Sequence, residues 1–135
     1  MATVLVASLS LAVAAQQYDE AAEQQLFQLA NQERARAGLP ALQWDERLQR
    51  AAREHSQLMA QHGELSHDFA GEPPLSKRLA ARDIRLDNDA ENVAYDGSAE
   101  HAHQGFLHSP PHRANIMNPK YNAGGVGVPR KGETL

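Results

Sequence analysis

SPPHRANIMNP, residues 109–119, is the stretch around which the chain is organised. Ser109 suits a helix N-cap, and Pro110 suits the first helical position, where no amide partner is needed. His112 then falls in the first turn of a short new helix. A helix N-terminus carries partial positive charge, which favours a neutral imidazole. A neutral imidazole can ligate a metal or accept a proton. Asn118 precedes Pro119, and a residue before proline avoids the α region, so the helix stops there. The alternative for His112 is a packing or capping role, and the rest of the chain bears on the choice.

Upstream, Ser98 is a candidate cap for a helix running to about His108. On that helix His101 and His108, seven apart, share a face, whereas His103 diverges from His101 by ~200°. His108 and His112 are four apart, but Pro110 and Pro111 intervene, so they are not a helical metal pair, and the sequence holds no HExxH. Residues 91–95 (ENVAY) form a short strand candidate ending at the Asp96-Gly97 turn signal. Downstream, residues 123–128 (AGGVGV) are the last strand candidate, with glycines that suggest close backbone approach. The turn-like PRKG follows. A strand and turn usually return as a hairpin, so the chain is expected to lack about one C-terminal strand.

The first half reads as two strong helices. Residues 18–37 place Leu26, Leu29, Ala30 and Glu33 at helical spacing. Gly38 ends that helix, and Pro40 prevents a restart. Asn31 and Arg34 lie near one another on it, with a structural ion pair expected for Arg34. Leu42 and Trp44 dock the following link. Asp45 caps the second helix, which runs to about His62 and stops at Gly63. Its inward face is Leu48, Ala51, Ala52, Leu58 and Met59, and His55 shares it. A histidine in that setting is more often a hydrogen-bonded core residue than a ligand. His67 stands in an irregular segment between Ser66 and Asp68, and loops are where functional groups concentrate. After Pro73-Pro74 a third helix begins, with Leu75 and Leu79 facing inward.

Composition sets limits on function. The chain has 135 residues, enough for one domain with a real core, and its 41% hydrophobic and 22% charged content is that of a globular protein. A net charge of -4 argues against a nucleic-acid partner, which usually needs a basic patch. Cysteine is absent, so disulfides, thiolate zinc sites and cysteine nucleophiles are excluded. Residues 2–15 (ATVLVASLSLAVAA) are apolar but too short for a membrane span, which takes ~20 residues. They read as the apolar part of an export signal, with Ala12-Val13-Ala14 as an A-x-A cleavage site, although no basic segment precedes them. The alternative is a buried N-terminal helix. With the signal removed, a single domain covering residues 16–135 would be secreted or periplasmic.

NQERARAGLPALQWDERLQRAAREHS, then LSH, RL, ENVA, SPPHRANIMNP and YNAGGVGV stand in order over roughly residues 24–128. This ordered set resembles the CAP superfamily (the SCP domain of cysteine-rich secretory proteins, antigen five and pathogenesis-related proteins), in its cysteine-free bacterial branch. The resemblance implies an α/β fold, an α-β-α sandwich with a small, mainly antiparallel sheet between helical layers. It implies a cleft lined by two histidines and two acidic groups. By motif, His67 is the first histidine, Glu91 the acid of ENVA and His112 the second histidine. The second acidic position falls at about His108, a departure from animal and plant members that weakens any mechanism needing paired carboxylates.

Two imidazoles and one carboxylate suit a divalent ion, zinc foremost, with a position left for water. His67, His112 and Glu91 are therefore the candidate metal ligands, and His67, Glu91, His108 and His112 the candidate cleft lining. The alternative is a hydrogen-bonded network that only shapes the cleft. No activated nucleophile is evident: Ser66 and Ser109 adjoin histidines only in sequence, and there is no G-x-S-x-G elbow. Three functions fit these residues. One is a binding module for a small lipid, glycan or peptide. The second is a divalent-metal-dependent, peptidase-like hydrolase using the same cleft. The third is a structural adhesion domain.

Overall fold

The computed structural model describes residues 18–63, 66, 72, 74–80 and 98–130. The leader-like residues 2–15, the ENVAY strand candidate, and His67 and Glu91 lie outside the described residues.

Helix α1, Glu20–Arg36, starts at Asp19, whose Oδ1 accepts the Ala22 amide at 3.0 Å. It ends in a Schellman turn. Gly38 takes φ 73, its N–H bonds the Ala35 carbonyl and the Leu39 N–H bonds Arg34 O. Strand β1 is Gln43–Trp44. Helix α2, Glu46–His62, has Asp45 as its cap, accepting the amides of Arg47 at 2.8 Å and Leu48 at 3.4 Å. Arg47 also donates to that carboxylate and holds its pKa below the usual range. Gly63, at φ 60, closes α2. Helix α3 is Leu75–Ala80, and α4 is Ala99–His108, capped by Ser98 as its sequence predicts. Helix α5, Pro110–Ile116, leads to strand β2, Ala123–Gly124. Of the expected strand 123–128, only these first two residues are paired as a ladder.

The ladder is parallel, with Gln43 opposite Ala123 and Trp44 opposite Gly124. The mainly antiparallel expectation is corrected for this pair. Residues 45–122 separate the two strands, and a long helical crossover returns a chain in the same direction, as a tight hairpin cannot. An antiparallel bridge does occur where Tyr18 meets Pro129.

Glycine places the ladder between helical layers. A Cβ on Gly124 would lie 3.3 Å from Phe27 Cε2 on α1. Cβ atoms on Gly125 and Gly127 would lie 2.3 Å from the backbone nitrogens of Gln49 and Arg53 on α2. Alternate residues of an extended segment face opposite sides, so one side meets α1 and the other α2. Two residues of strand span ~6.6 Å and four residues of helix ~6 Å, which is why glycines two apart seat on α2 residues four apart. Phe27 also meets Trp44 edge to face, with centroids 5.0 Å apart. Gly127→Ala should cost about 2–3 kcal/mol through overpacking, since helix backbone cannot swing aside. Gly105→Ala, in open space within α4, should instead be neutral or stabilise by about 0.5–1 kcal/mol. Urea unfolding midpoints of the two variants test the opposite signs.

The deepest side chains are polar. Among the described residues the buried apolar ones are Ala51 and Ala99, beside buried Glu23, Arg34, His55, Ser56 and His103. On α1 the expected stripe of Leu26, Leu29, Ala30 and Glu33 is only half-buried, and Glu23 and Arg34 lie deepest. They are eleven apart, three helical turns, and share one face.

Candidate functional site

The elbow between α4 and α5 carries the two described members of the expected site. Along α4, His101 and His108 are exposed and His103 is buried, as the 100° step of a helix requires. Burial holds the His103 pKa below the ordinary imidazole value, against the opposing pull of Glu33 and Glu100. His108 Nδ1–H donates to the Gln104 carbonyl at 2.7 Å, leaving Nε2 as its outward atom.

His112 is the third residue of α5 and half-buried. Its ring meets the Phe106 ring in a tilted edge contact, with centroids 5.3 Å apart and planes at 61°. Ser109 occupies the N-cap position as expected, but its side chain makes no capping bond. A cap oxygen bonds the amide of the second or third helical residue; Pro111 at the second has none, which leaves only that of His112 at the third. The Ser109 carbonyl still accepts the Arg113 amide at 2.8 Å.

The other end of α5 is held from α1. Arg34 is 1% exposed. Its Nε donates to Pro40 O at 2.9 Å, Nη1 to Ile116 O at 3.0 Å and Asn118 O at 2.9 Å, and Nη2 to Tyr121 O at 3.0 Å. The ion pair expected for Arg34 is replaced by these four carbonyls. Carbonyls at a helix C-terminus carry partial negative charge, so the end of α5 stands in for a carboxylate. Burial lowers the Arg34 pKa from its usual value, but a guanidinium in a protein stays charged. Asn118 Oδ1 accepts the Lys120 amide at 2.9 Å and sets the turn that presents these carbonyls. Asn31 acts as a surrogate strand beside β1. Its amide donates to Leu42 O at 3.0 Å, and its Oδ1 accepts Leu42 N–H at 2.7 Å.

A second buried group ties the opposite end of α1 to the end of the described chain. The Glu23 carboxylate is fully buried. It accepts from Gln49 Nε2 at 2.9 Å, Arg53 Nε at 2.9 Å, Arg53 Nη2 at 2.7 Å and the Val128 amide at 3.1 Å. The hydrogen bond to Glu23 raises the Arg53 pKa. Arg53 also lies over the Tyr18 ring, 4.6 Å from its centroid. Sequence reading missed Glu23, because an acidic residue in the first turn of a helix ordinarily serves the helix dipole at the surface.

Of the expected site residues, the structure therefore places His108 and His112 at one elbow, with His67 and Glu91 outside the described residues. Among the described residues no three His, Asp or Glu side chains are grouped to hold a metal ion. An ion bound at His112 would need the other two expected ligands, and that donor set of two imidazoles and a carboxylate is chemically suited to zinc. No described helix is long and apolar enough to cross a membrane.

Comparison with known proteins gives a consistent picture. Residues 27–134 match the model of the cysteine-rich secretory protein family, CAP. Over 112 residues the chain is 36% identical to a Bacillus subtilis protein named uncharacterized membrane protein YlbC, covering 81% of this chain and 32% of that one. It is 31% identical over 111 residues to the uncharacterized protein YkwD of the same organism, covering 82% of this chain and 43% of that one. An extracellular protein containing an SCP domain from Bacillus anthracis superimposes with a TM-score of 0.76 at 28% identity, over 96% of this chain and 45% of that one. A cysteine-rich secretory protein from Staphylococcus aureus superimposes with a TM-score of 0.70 at 23% identity, over 84% of this chain and 37% of that one, and shows the shared α-β-α fold. The chain thus spans less than half the length of each of these proteins.

Proposed function

This chain belongs to the cysteine-rich secretory protein (CAP) family, and from that premise we propose that it is an exported binding module. Its cleft, formed by His67, Glu91, His108 and His112, takes a small lipid, glycan or peptide. The observation that carries this reading is the α4–α5 elbow. His108 stands where a second acid would complete a carboxylate pair, and its Nδ1 is spent on its own helix. A pair of carboxylates is not completed there, whereas a half-buried His112 against Phe106 offers a mixed polar and aromatic contact suited to recognition. Arg34 supports the reading by anchoring the far end of α5, so His112 is presented on a rigid element. Export is supported by the leader-like residues 2–15 and by the extracellular relative.

The second reading, a zinc-dependent hydrolase, draws on the same residues. His67, His112 and Glu91 would hold the ion, which would supply an activated water. The discriminating experiment uses the full chain in thermal unfolding against phospholipid vesicles, glycan fragments, short peptides and Zn²⁺ alone. Binding to the folded state raises stability by about 2.7 kcal/mol at a hundredfold excess over Kd. The binding-module reading expects one organic class to stabilise the protein and His112→Ala to remove the effect. Stabilisation by Zn²⁺ alone, lost in both His67→Ala and His112→Ala, would favour the hydrolase reading. No response to any organic class would overturn the binding module.

A further inference from the structure

His103 sits in the middle of α4, 3% exposed, where that helix packs along α1. The charges that act on it are Glu33 and Arg36 of α1 and Glu100, one turn earlier on α4. Arg36 Nη1 donates to Glu33 Oε1, so the α1 carboxylate already has a partner. Helix α5, which also packs against α4, bears His112 and Arg113 beyond the elbow. A proton on a buried ring leaves a charge away from water, which burial penalises. Burial is the largest influence on His103; together with Arg36 it outweighs the pull of Glu33 and Glu100 and favours the neutral ring.

Phe106 lies three residues after His103, a neighbouring position on the helix surface, and meets His112 across the elbow. The two sides of that contact are held to α1 by different means. Arg34 holds α5 through the Ile116 and Asn118 carbonyls, and a guanidinium keeps its charge across the ordinary pH range. Helix α4 is held through the buried face that contains His103. Acid therefore acts on one side of the elbow and not on the other. We propose that His103 is an acid-operated latch: a proton on its ring loosens α4 from α1 and opens the Phe106–His112 contact. The consequence, release of a ligand on acidification, rests on the reading of the elbow as the recognition contact. Freed from α1, the ring has the ordinary imidazole value of 6.5, and packed it has a lower one. The loosened form thus binds the proton more tightly. The packed form is fully favoured above the ordinary value and loses ground as pH falls through it. The loss is up to about tenfold per pH unit until the buried ring itself titrates.

The test uses the full chain labelled with ¹⁵N and ¹³C, comparing the native protein, His103→Leu, Glu33→Gln and Arg36→Gln. Amide protection, corrected for the intrinsic pH dependence of exchange, and the Phe106–His112 nuclear Overhauser contact are followed as pH falls. In the native protein, protection of residues 102–108 should drop about three- to tenfold between about pH 7.5 and 5.5. The Phe106–His112 contact should weaken in step, while residues 113–118 stay protected. His103→Leu is close in volume and cannot titrate, so it should abolish both changes although His112 still titrates. The titration of the His103 ring itself should move to lower pH in Glu33→Gln and to higher pH in Arg36→Gln, since the carboxylate favours the proton and the guanidinium opposes it. These two variants decide the matter even if His103→Leu does not fold. An equal acid-induced loss in His103→Leu, no loss in the native protein, or ring titrations that move the same way in both charge variants would overturn the latch. No ligand is present in these samples, so the latch is decided whether or not the binding-module reading survives its own screen.

Discussion

Replacing Arg34 with methionine should lower the unfolding free energy by about 3–5 kcal/mol, one of the two largest effects of any single change in the described residues. Methionine approximates the volume of the aliphatic stem but supplies no donor. Four carbonyls, on Pro40, Ile116, Asn118 and Tyr121, would lose their partner together. Each buried acceptor left unsatisfied costs about 1–3 kcal/mol, and some regain water as the turn loosens, which keeps the sum toward the lower end. Arg34→Lys should recover only part of the loss, because an ammonium is a point charge and cannot span four acceptors in a planar fork. The damage should also be directional. Three of the four carbonyls belong to the C-terminal end of α5 and the turn before β2, so amide exchange should rise in residues 113–122 before it rises in α2. Guanidinium unfolding and hydrogen exchange on the two variants measure both effects. A loss below 1 kcal/mol in Arg34→Met would show that water, and not the guanidinium, satisfies this turn.

Glu23→Gln should destabilise by a similar amount, about 3–5 kcal/mol, as expected when one partner of a buried ion pair is removed. Glutamine preserves the shape, so the loss isolates hydrogen bonding and charge. Each Glu23 oxygen accepts two donors, Arg53 Nε and Val128 N–H on one, Gln49 Nε2 and Arg53 Nη2 on the other. A carboxylate accepts at both oxygens, whereas an amide must turn its NH₂ toward one pair of donors. Whichever way it turns, two bonds become repulsive contacts, and the Arg53 guanidinium keeps its charge without its main counterion. Arg53 retains the Tyr18 ring and a 3.7 Å approach to Glu20, so the partner should be partly supported. A double-mutant cycle of Glu23→Gln with Arg53→Met should give a coupling above 1 kcal/mol. Additive effects would mean that the two side chains contribute independently, against the geometry.

Both residues lie on α1, and neither was legible as buried. The apolar periodicity of Leu26, Leu29 and Ala30 is real, but it marks the half-buried flank of the helix. The deep stripe runs through Glu23 and Arg34, residue types that almost never bury alone. Their partners come from far away: Arg34 bonds residues 82, 84 and 87 positions on, and Glu23 bonds Val128, 105 positions on. No local pattern announces a donor at that distance. His55 is the instructive contrast. Its place among Ala51, Ala52 and Met59 on α2 identifies it as an interior histidine with partners, although not which ones.

At the site the division is similar. The start of α5 follows from Ser109 and Pro110, whereas the missing side-chain cap bond is seen only in the structure, since Pro111 removes just one of the two amides a cap can bond. That His108 turns back to Gln104, and that Phe106 meets His112 across the elbow, needed coordinates. Both depend on the angle at which α5 leaves α4, and a two-proline junction does not set that angle by itself.

Residue order alone determined the limits of α1, α2 and α4, the close approach of the glycines in 123–128, and the ordered motifs of the CAP family. Caps, Schellman turns and proline stops are satisfied by neighbours within a few residues, so they are written locally. Only the tertiary structure decided that β1 and β2 run parallel, that a carboxylate and a guanidinium lie deepest, and that α5 is anchored from α1. A charge can leave water only when several donors or acceptors reach it at once, and those groups meet only after the distant parts of the chain have packed.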